Sequence, residues 1–337
     1  MGRAGRPARV STLRRVEASE AATPFGGPGA IRVGAPPASP LQLFWRRFRK
    51  DRLAIASLGF IGLLVVVALA APLIVEIAGT PAPDVRDQSS LDIFGTPTGP
   101  SSAHPFGVDE LGRDVFSRTI YGTRVSLLVA FVATGLATMV GVVLGLLAGY
   151  LRRWVDTLVS RSIDVLLAIP YLLLATGLAA SCSLGDGCFG GLLKPGLGVV
   201  IFVIAFTTWP PIARIVRGET LSLREKEFVE AARSVGASNR RLIFTEILPN
   251  LVAPIIVYSS ILIPQVILIE AALSFLGVGV QPPTASWGQM LADATQIFDT
   301  AWWYMLFPGI ALLLTVLAFN LVGDALQDAL NPKASRK

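Results

Sequence analysis

Charge is scarce in this 337-residue chain: Asp, Glu, Lys and Arg together supply 15% of it, against about a quarter in a typical soluble protein. With 53% hydrophobic residues, the composition excludes an ordinary soluble domain and places the chain in the membrane class. Histidine occurs once, at His104, and cysteine twice, at Cys182 and Cys188. So few ligating side chains argue against a His-based metal centre, a catalytic triad, a Cys-rich zinc site and a disulfide scaffold. No catalytic, metal or cofactor-binding residue is assigned. No GxxxxGK[ST] run is present, so the chain does not cradle a nucleotide phosphate in the Walker manner, and any ATP that drives it is bound by a partner. No internal repeat stands out, and no paired carboxylates sit within an apolar run, which weighs against a lone secondary transporter or a membrane enzyme. The net charge of +6 does not indicate nucleic acid, because the basic residues flank apolar runs instead of clustering on a polar surface.

What is present is a succession of apolar runs. Residues 1–40, rich in Pro, Gly, Ala and Arg, lack any helical or strand period and read as a disordered cytoplasmic tail. Residues 41–80 hold an amphipathic helix, with Leu41, Phe44, Trp45 and Phe48 on one face among basic neighbours, and a first span over Leu53 to Val75. Residues 81–120 form a polar, acidic extracytoplasmic segment. Residues 121–327 carry five more spans, and within them lies a polar loop, 214–250. Residues 328–337 close the chain as a cytoplasmic tail. The second span, from Val125 to about Gly149, places Ala137, Gly141, Gly145 and Gly149 at four-residue intervals, a small-residue stripe that admits another helix at close range. The third, about Ile163 to Ser181, is interrupted by Pro170; the fourth, about Leu197 to Ala213, is expected to bend at Pro210-Pro211. The fifth runs from Leu251 to about Phe275 and the sixth from about Trp302 to Val322. The fold class is thus all-α polytopic, with six transmembrane helices.

Orientation follows from Lys and Arg. With a cytoplasmic N-terminus that side receives 24 of the 29, the other side four, and Arg124 sits at a helix end. Both termini and the 214–250 loop therefore belong in the cytoplasm. Cys182 and Cys188 then face outward, where either a disulfide or two free thiols is possible chemically. Glu270, near the outer end of the fifth span, reads as a structural or partner-bonding group, His104 as part of a turn, Trp302, Trp303 and Tyr304 as interfacial anchors, and Trp209 as packing.

The 214–250 loop has internal order. Ser222-Leu223-Arg224-Glu225 reads as a capping box, with Ser222 and Glu225 as the reciprocal caps of a helix starting there. Leu223, Phe228, Ala231, Ala232 and Val235 give one apolar stripe, Gly236 sits where a left-handed residue would end the helix, and Ser238 can cap a second short helix running toward Pro249.

Glu230-Ala231-Ala232, then Gly236, then Leu248-Pro249 resembles the EAA motif in permease subunits of bacterial ABC importers, with Glu246 where that family usually has isoleucine. His104-Pro105-Phe106-Gly107-Val108-Asp109-Glu110-Leu111-Gly112-Arg113-Asp114-Val115, the stretch from Glu270 to Gly277, and Trp287-Gly288 are similar to the DppC/OppC branch, the dipeptide, oligopeptide and nickel permeases. The resemblance covers about residues 41 to 332. It implies a type I ABC importer transmembrane domain in the cell membrane, paired with a homologous second permease, two ABC ATPase subunits that bind ATP and Mg, and an extracytoplasmic solute-binding protein. Glu230, Ala231, Ala232, Gly236, Leu248 and Pro249 would then couple to an ATPase, and a di- or oligopeptide would be the substrate. Nickel or another small solute is the alternative within the family.

Overall fold

The computed structural model describes residues 45–46, 48–183 and 187–330; the N-terminal tail, residues 41–44 and 47 of the expected amphipathic helix, and residues 331–337 lie outside it. Helix α1, Arg52–Ile77, starts at Asp51, whose carboxylate accepts the N–H groups of Leu53 (2.9 Å) and Ala54 (3.1 Å). Helix α2, Val115–Leu151, is capped by Asp114, which accepts the Ser117 N–H at 2.7 Å. It starts ten residues before the expected second span. Its 37 residues extend about 55 Å, beyond the roughly 30 Å of a hydrocarbon core. The early turns, with Ser117, Arg118, Thr119 and Thr123 buried, carry the polar segment that precedes them.

Arg152 and Arg153, both with positive φ, turn the chain into α3, Arg153–Ala168. Helix α4, Tyr171–Ser183, follows a 91° elbow, so the expected third span is a bent pair and not an interrupted straight helix. The cause is local. Ile169, forced to extended geometry (ψ 131°) before Pro170, ends α3. Helix α5, Leu197–Arg224, carries Pro210 and Pro211 inside one continuous helix and runs eleven residues past the expected end of the fourth span at Ala213. Its neighbour explains its course: a Cβ on Gly141 would lie 2.8 Å from Ile212 Cβ, on Gly145 2.7 Å from the Ala213 carbonyl oxygen, and on Gly149 2.7 Å from Thr220 Cβ. The four-residue stripe thus brings α2 and α5 into backbone contact, with Trp209 buried in the same core.

Helix α6, Glu227–Ser234, follows directly. A single turn, Asn239–Arg241, and a π-helical stretch, Leu242–Ile247, lead into α7, Leu248–Phe275, so Pro249 opens a helix that was expected to begin after it. Helix α8 is Trp287–Ala294 and α9 is Trp302–Leu330, which includes the first residues of the expected C-terminal tail. Among the described residues five helices are long and apolar enough to cross a membrane, or six with the bent α3–α4 pair as one span. The protein is an all-α, multi-pass membrane protein. Helices α2, α5 and α7 form the centre, and α1 and α9 pack on α2 and α7 from outside.

Candidate functional site

The turn between α5 and α7, at the end of the bundle rich in Arg, is the site that the sequence singles out. Ser222 and Glu225 do not cap a helix there. Ser222 is an exposed residue inside α5, and Glu225 is the C-terminal cap of α5, with its carboxylate paired to Arg152. Tertiary contacts carry α5 through the expected start: Thr220 packs over Gly149, and the Arg224 guanidinium donates to the Tyr150 carbonyl. The next helix, α6, instead begins after Lys226, which offers no side-chain cap. Glu227 and Glu230 occupy its first turn and Arg233 its last, each at the dipole end that favours its charge.

Its other end is closed as the sequence suggests. Gly236 takes φ 85°, its N–H donates to the Arg233 carbonyl (3.0 Å), and the Ala237 N–H reaches back to Ala232 (3.1 Å). These are the two bonds of a Schellman motif. Ser238 then accepts the Arg241 N–H at 3.4 Å and starts the next turn. Val229 is fully buried, and Ala232 and Ala237 pack against the same core as Leu242 and Ile247. Phe228, Glu230, Ala231 and Val235, the last 83% exposed, point away from it. Leu248 is half-buried and Pro249 exposed on the first turn of α7. The coupling candidates thus lie on one short, doubly anchored helix and on the span it leads into. Glu246 is half-buried, and its carbonyl accepts from the Asn250 side chain.

Two ion pairs tie α3 to α5 beside this turn: Asp156 receives the Arg217 guanidinium through two bonds, and Asp164 receives Arg214 at 2.7 Å. The Tyr150 hydroxyl donates to Asn239 (2.6 Å), linking the end of α2 to the turn after α6.

At the opposite end the segment from 78 to 114 folds as a cap on the first turns of α2. His104 is not merely a turn residue: Nδ1 lies 2.9 Å from Asp114 and Nε2 2.9 Å from the Ser90 hydroxyl. A histidine between a serine and an aspartate is an arrangement that the scarcity of histidine argued against. Here it acts as a strut, since Asp114 also caps α2 and the Ser90 hydroxyl also reaches Asp87 at 2.9 Å. Asp109 holds its own loop through the N–H groups of Leu111 and Arg113, both at 2.9 Å, and binds the Arg113 side chain at 2.6 Å. The fully buried Arg118 lies 3.6 Å from the same carboxylate. Trp303 and Tyr304 are not interfacial anchors: both are buried in this cap, Trp303 donating to the Val108 carbonyl and Tyr304 to Asp293, and only Trp302 is exposed. Burial pushes the Asp293 carboxyl up, and burial with the nearby Asp293 and Asp109 charges raises that of Glu110. Hydrogen bonds from Ser89 and Ser90 hold Asp87 below its ordinary range.

Glu270 is fully buried and receives the hydroxyls of Ser126 (3.1 Å) and Ser274 (2.9 Å), so it pins α2 to α7. Cys182 and Cys188 are joined as a disulfide with Cα atoms 4.6 Å apart.

Residues 141–336 match the family described as the binding-protein-dependent transport system inner membrane component, and residues 39–91 match the N-terminal TM domain of oligopeptide transport permease C. The dipeptide transport system permease protein DppC of Alkalihalophilus pseudofirmus is 42% identical over 88% of this chain and 90% of its own length. The glutathione transport system permease protein GsiD of Pectobacterium atrosepticum is 41% identical, over 88% and 92%. The di/tripeptide permease DppC of Pseudomonas aeruginosa is 40% identical, over 88% and 93%. Among solved structures, an inward-facing form of the MetNI methionine ABC transporter superposes with a TM-score of 0.51 at 20% identity, over 64% of this chain and 96% of that one, a likeness of fold.

Proposed function

The chain belongs to the family of binding-protein-dependent transport system inner membrane components, and from that premise we propose that it is the permease subunit of an ATP-driven ABC importer for di- or oligopeptides. With a second, homologous permease it forms the path across the cytoplasmic membrane. Two separate ABC subunits bind ATP and Mg and hydrolyse the nucleotide, and an extracytoplasmic binding protein delivers the peptide to the capped end. The relatives whose names specify dipeptides, di/tripeptides or glutathione support that substrate class.

The observation that carries the mechanism is α6 itself. It is anchored inward by Val229, closed by the Schellman bonds at Gly236, and joined to α5 through Glu225 and Lys226 alone. Glu230, Ala231, Phe228 and Val235 face outward for an ATPase groove. A push on this helix passes to α5 at once, and through the α2–α5 contact to the centre of the bundle. ATP binding in the partners then biases the bundle between inward- and outward-open states. By the positive-inside bias the α6 end, with the 214–250 loop, is cytoplasmic and the 81–120 segment is outside.

The test is reconstitution of the four membrane-associated subunits with the binding protein in liposomes. ATP-dependent uptake of a dipeptide or of glutathione is expected, with no uptake from a proton gradient alone. Uptake by this chain without ATPase subunits would overturn the reading.

A further inference from the structure

The exposed faces of α1 between Leu53 and Leu73, of α2 between Leu128 and Leu147, and of α9 between Leu306 and Leu317 are apolar, as lipid requires. Two mid-span carboxamides break the pattern: Asn320 of α9, whose amide donates to the Val316 carbonyl of its own helix at 2.9 Å, and Gln265 of α7. Tyr258 is 40% exposed and Gln265 is exposed, seven residues apart and so on one face, with Ile261 between them and Leu268 one turn beyond. Gln265 lies about 26 Å along α7 from Leu248 and about 15 Å from Phe275, well inside the hydrocarbon depth. A primary carboxamide facing lipid there would cost several kcal/mol, so this face meets water or protein. A closely packed protein neighbour does not account for the rest. Tyr258 and Ile261 line a cavity of about 470 Å³ together with Glu219 of α5, Pro254 and Val257 of α7, and Gln327 of α9. The cavity lies at the Arg-rich end, and the Tyr258–Gln265 stripe climbs from it toward the middle of the span.

We propose that Tyr258, Ile261, Gln265 and Leu268 line the solute path and that the Gln265 carboxamide hydrogen-bonds the backbone amides of a passing peptide. The inference rests on the peptide-import reading and adds where and how the peptide is held. A carboxamide both donates and accepts, matching a peptide group whatever its side chains. The stripe between Tyr258 and Leu268 carries no charge, so side-chain charge is not what it reads. Glu219 at the inner mouth suits the α-ammonium of a peptide leaving toward the cytoplasm.

The experiment uses the assembled transporter in proteoliposomes loaded with ATP, with binding protein and dipeptide outside, Gln265→Cys and Tyr258→Cys introduced singly and Leu313→Cys as the lipid-facing control. A small water-soluble methanethiosulfonate is expected to label positions 258 and 265 but not 313, with dipeptide plus binding protein slowing the labelling at 265 at least threefold. In uptake assays Gln265→Leu should raise the apparent KM for dipeptide about three- to tenfold, the cost of one hydrogen bond, and Gln265→Asn should restore part of it. ATP hydrolysis stimulated by the binding protein should persist in the Leu313→Cys control. Labelling at 265 no faster than at 313, or oxidative crosslinking of Gln265→Cys to the second permease with no protection by peptide, overturns the inference. Wild-type vesicles that hydrolyse ATP yet import no peptide would instead overturn the functional reading.

Discussion

Gly236 offers a test in which sterics and conformation separate cleanly. A Cβ built on this residue meets nothing within 4 Å, yet its φ is +85°. Replacement therefore adds no clash and acts only through the left-handed backbone, which costs an L-residue about 1–2 kcal/mol and a β-branched one more. Asparagine tolerates this region better than other non-glycine residues. The expected order of function is Gly, then Asn, Ala and Val. A penalty of about 1.4 kcal/mol lowers the population of the closed Schellman turn relative to frayed forms about tenfold. Because Gly236 is exposed and its two bonds serve only the end of α6, the loss should stay local. Insertion, detergent-extracted monodispersity and Tm of the permease should match wild type for all three variants. Binding-protein-stimulated ATP hydrolysis and dipeptide uptake in proteoliposomes should fall together along the series. Wild-type coupling in Gly236→Val would refute the claim that α6 must be closed to transmit force. So would a variant series in which Asn is as poor as Val, because that ranking would trace the loss to something other than φ.

Replacing Glu230 by Lys puts a cation at the N-terminal dipole of α6 and on its outward face, so the ATPase should co-purify at reduced stoichiometry while the permease remains folded. Gly145→Val drives a side chain into the Ala213 carbonyl and should cost about 1–3 kcal/mol by overpacking, read as a lower Tm and lower yield; Gly135→Ala, with nothing within 4 Å, should leave both unchanged or improved. Glu110 is raised by burial and by the Asp293 and Asp109 charges, so its ionised form opposes folding and its destabilisation grows as pH rises above the ordinary carboxylate range. Glu110→Gln should thus raise the Tm of the complex at neutral pH, with the gain vanishing as pH falls below that range.

Where a residue type has a single structural use, the sequence could be read directly. Gly141, Gly145 and Gly149 at a four-residue period have few readings in an apolar helix, and the backbone contact with α5 is where that stripe lies. Gly236 was equally legible, because only glycine takes φ 85° without penalty. Ambiguity entered wherever a residue type has two uses. Serine and glutamate three apart form a capping box at a helix start and an exposed face inside a helix, and Ser222 and Glu225 prove to be helical surface and C-cap. Asp114 was the opposite case: a real cap, hidden because the polar turns after it fail a hydropathy reading. His104 does open the turn expected of it, the Gly107 N–H donating to its carbonyl at 2.9 Å, but its ring partners were hidden, since only the folded cap brings Ser90 and Asp114 together. The Ser222 correction also changes the mechanics. With a capped start at Ser222, the short helix would have been a separate piece able to pivot on residues 214–221. With α5 continuous to Arg224, the joint shrinks to Glu225 and Lys226, and the Lys226 N–H still bonds the Leu223 carbonyl across it at 3.1 Å. A joint that short leaves little slack, so a displacement of α6 must be met by movement of α5 and of the α2 backbone locked against it.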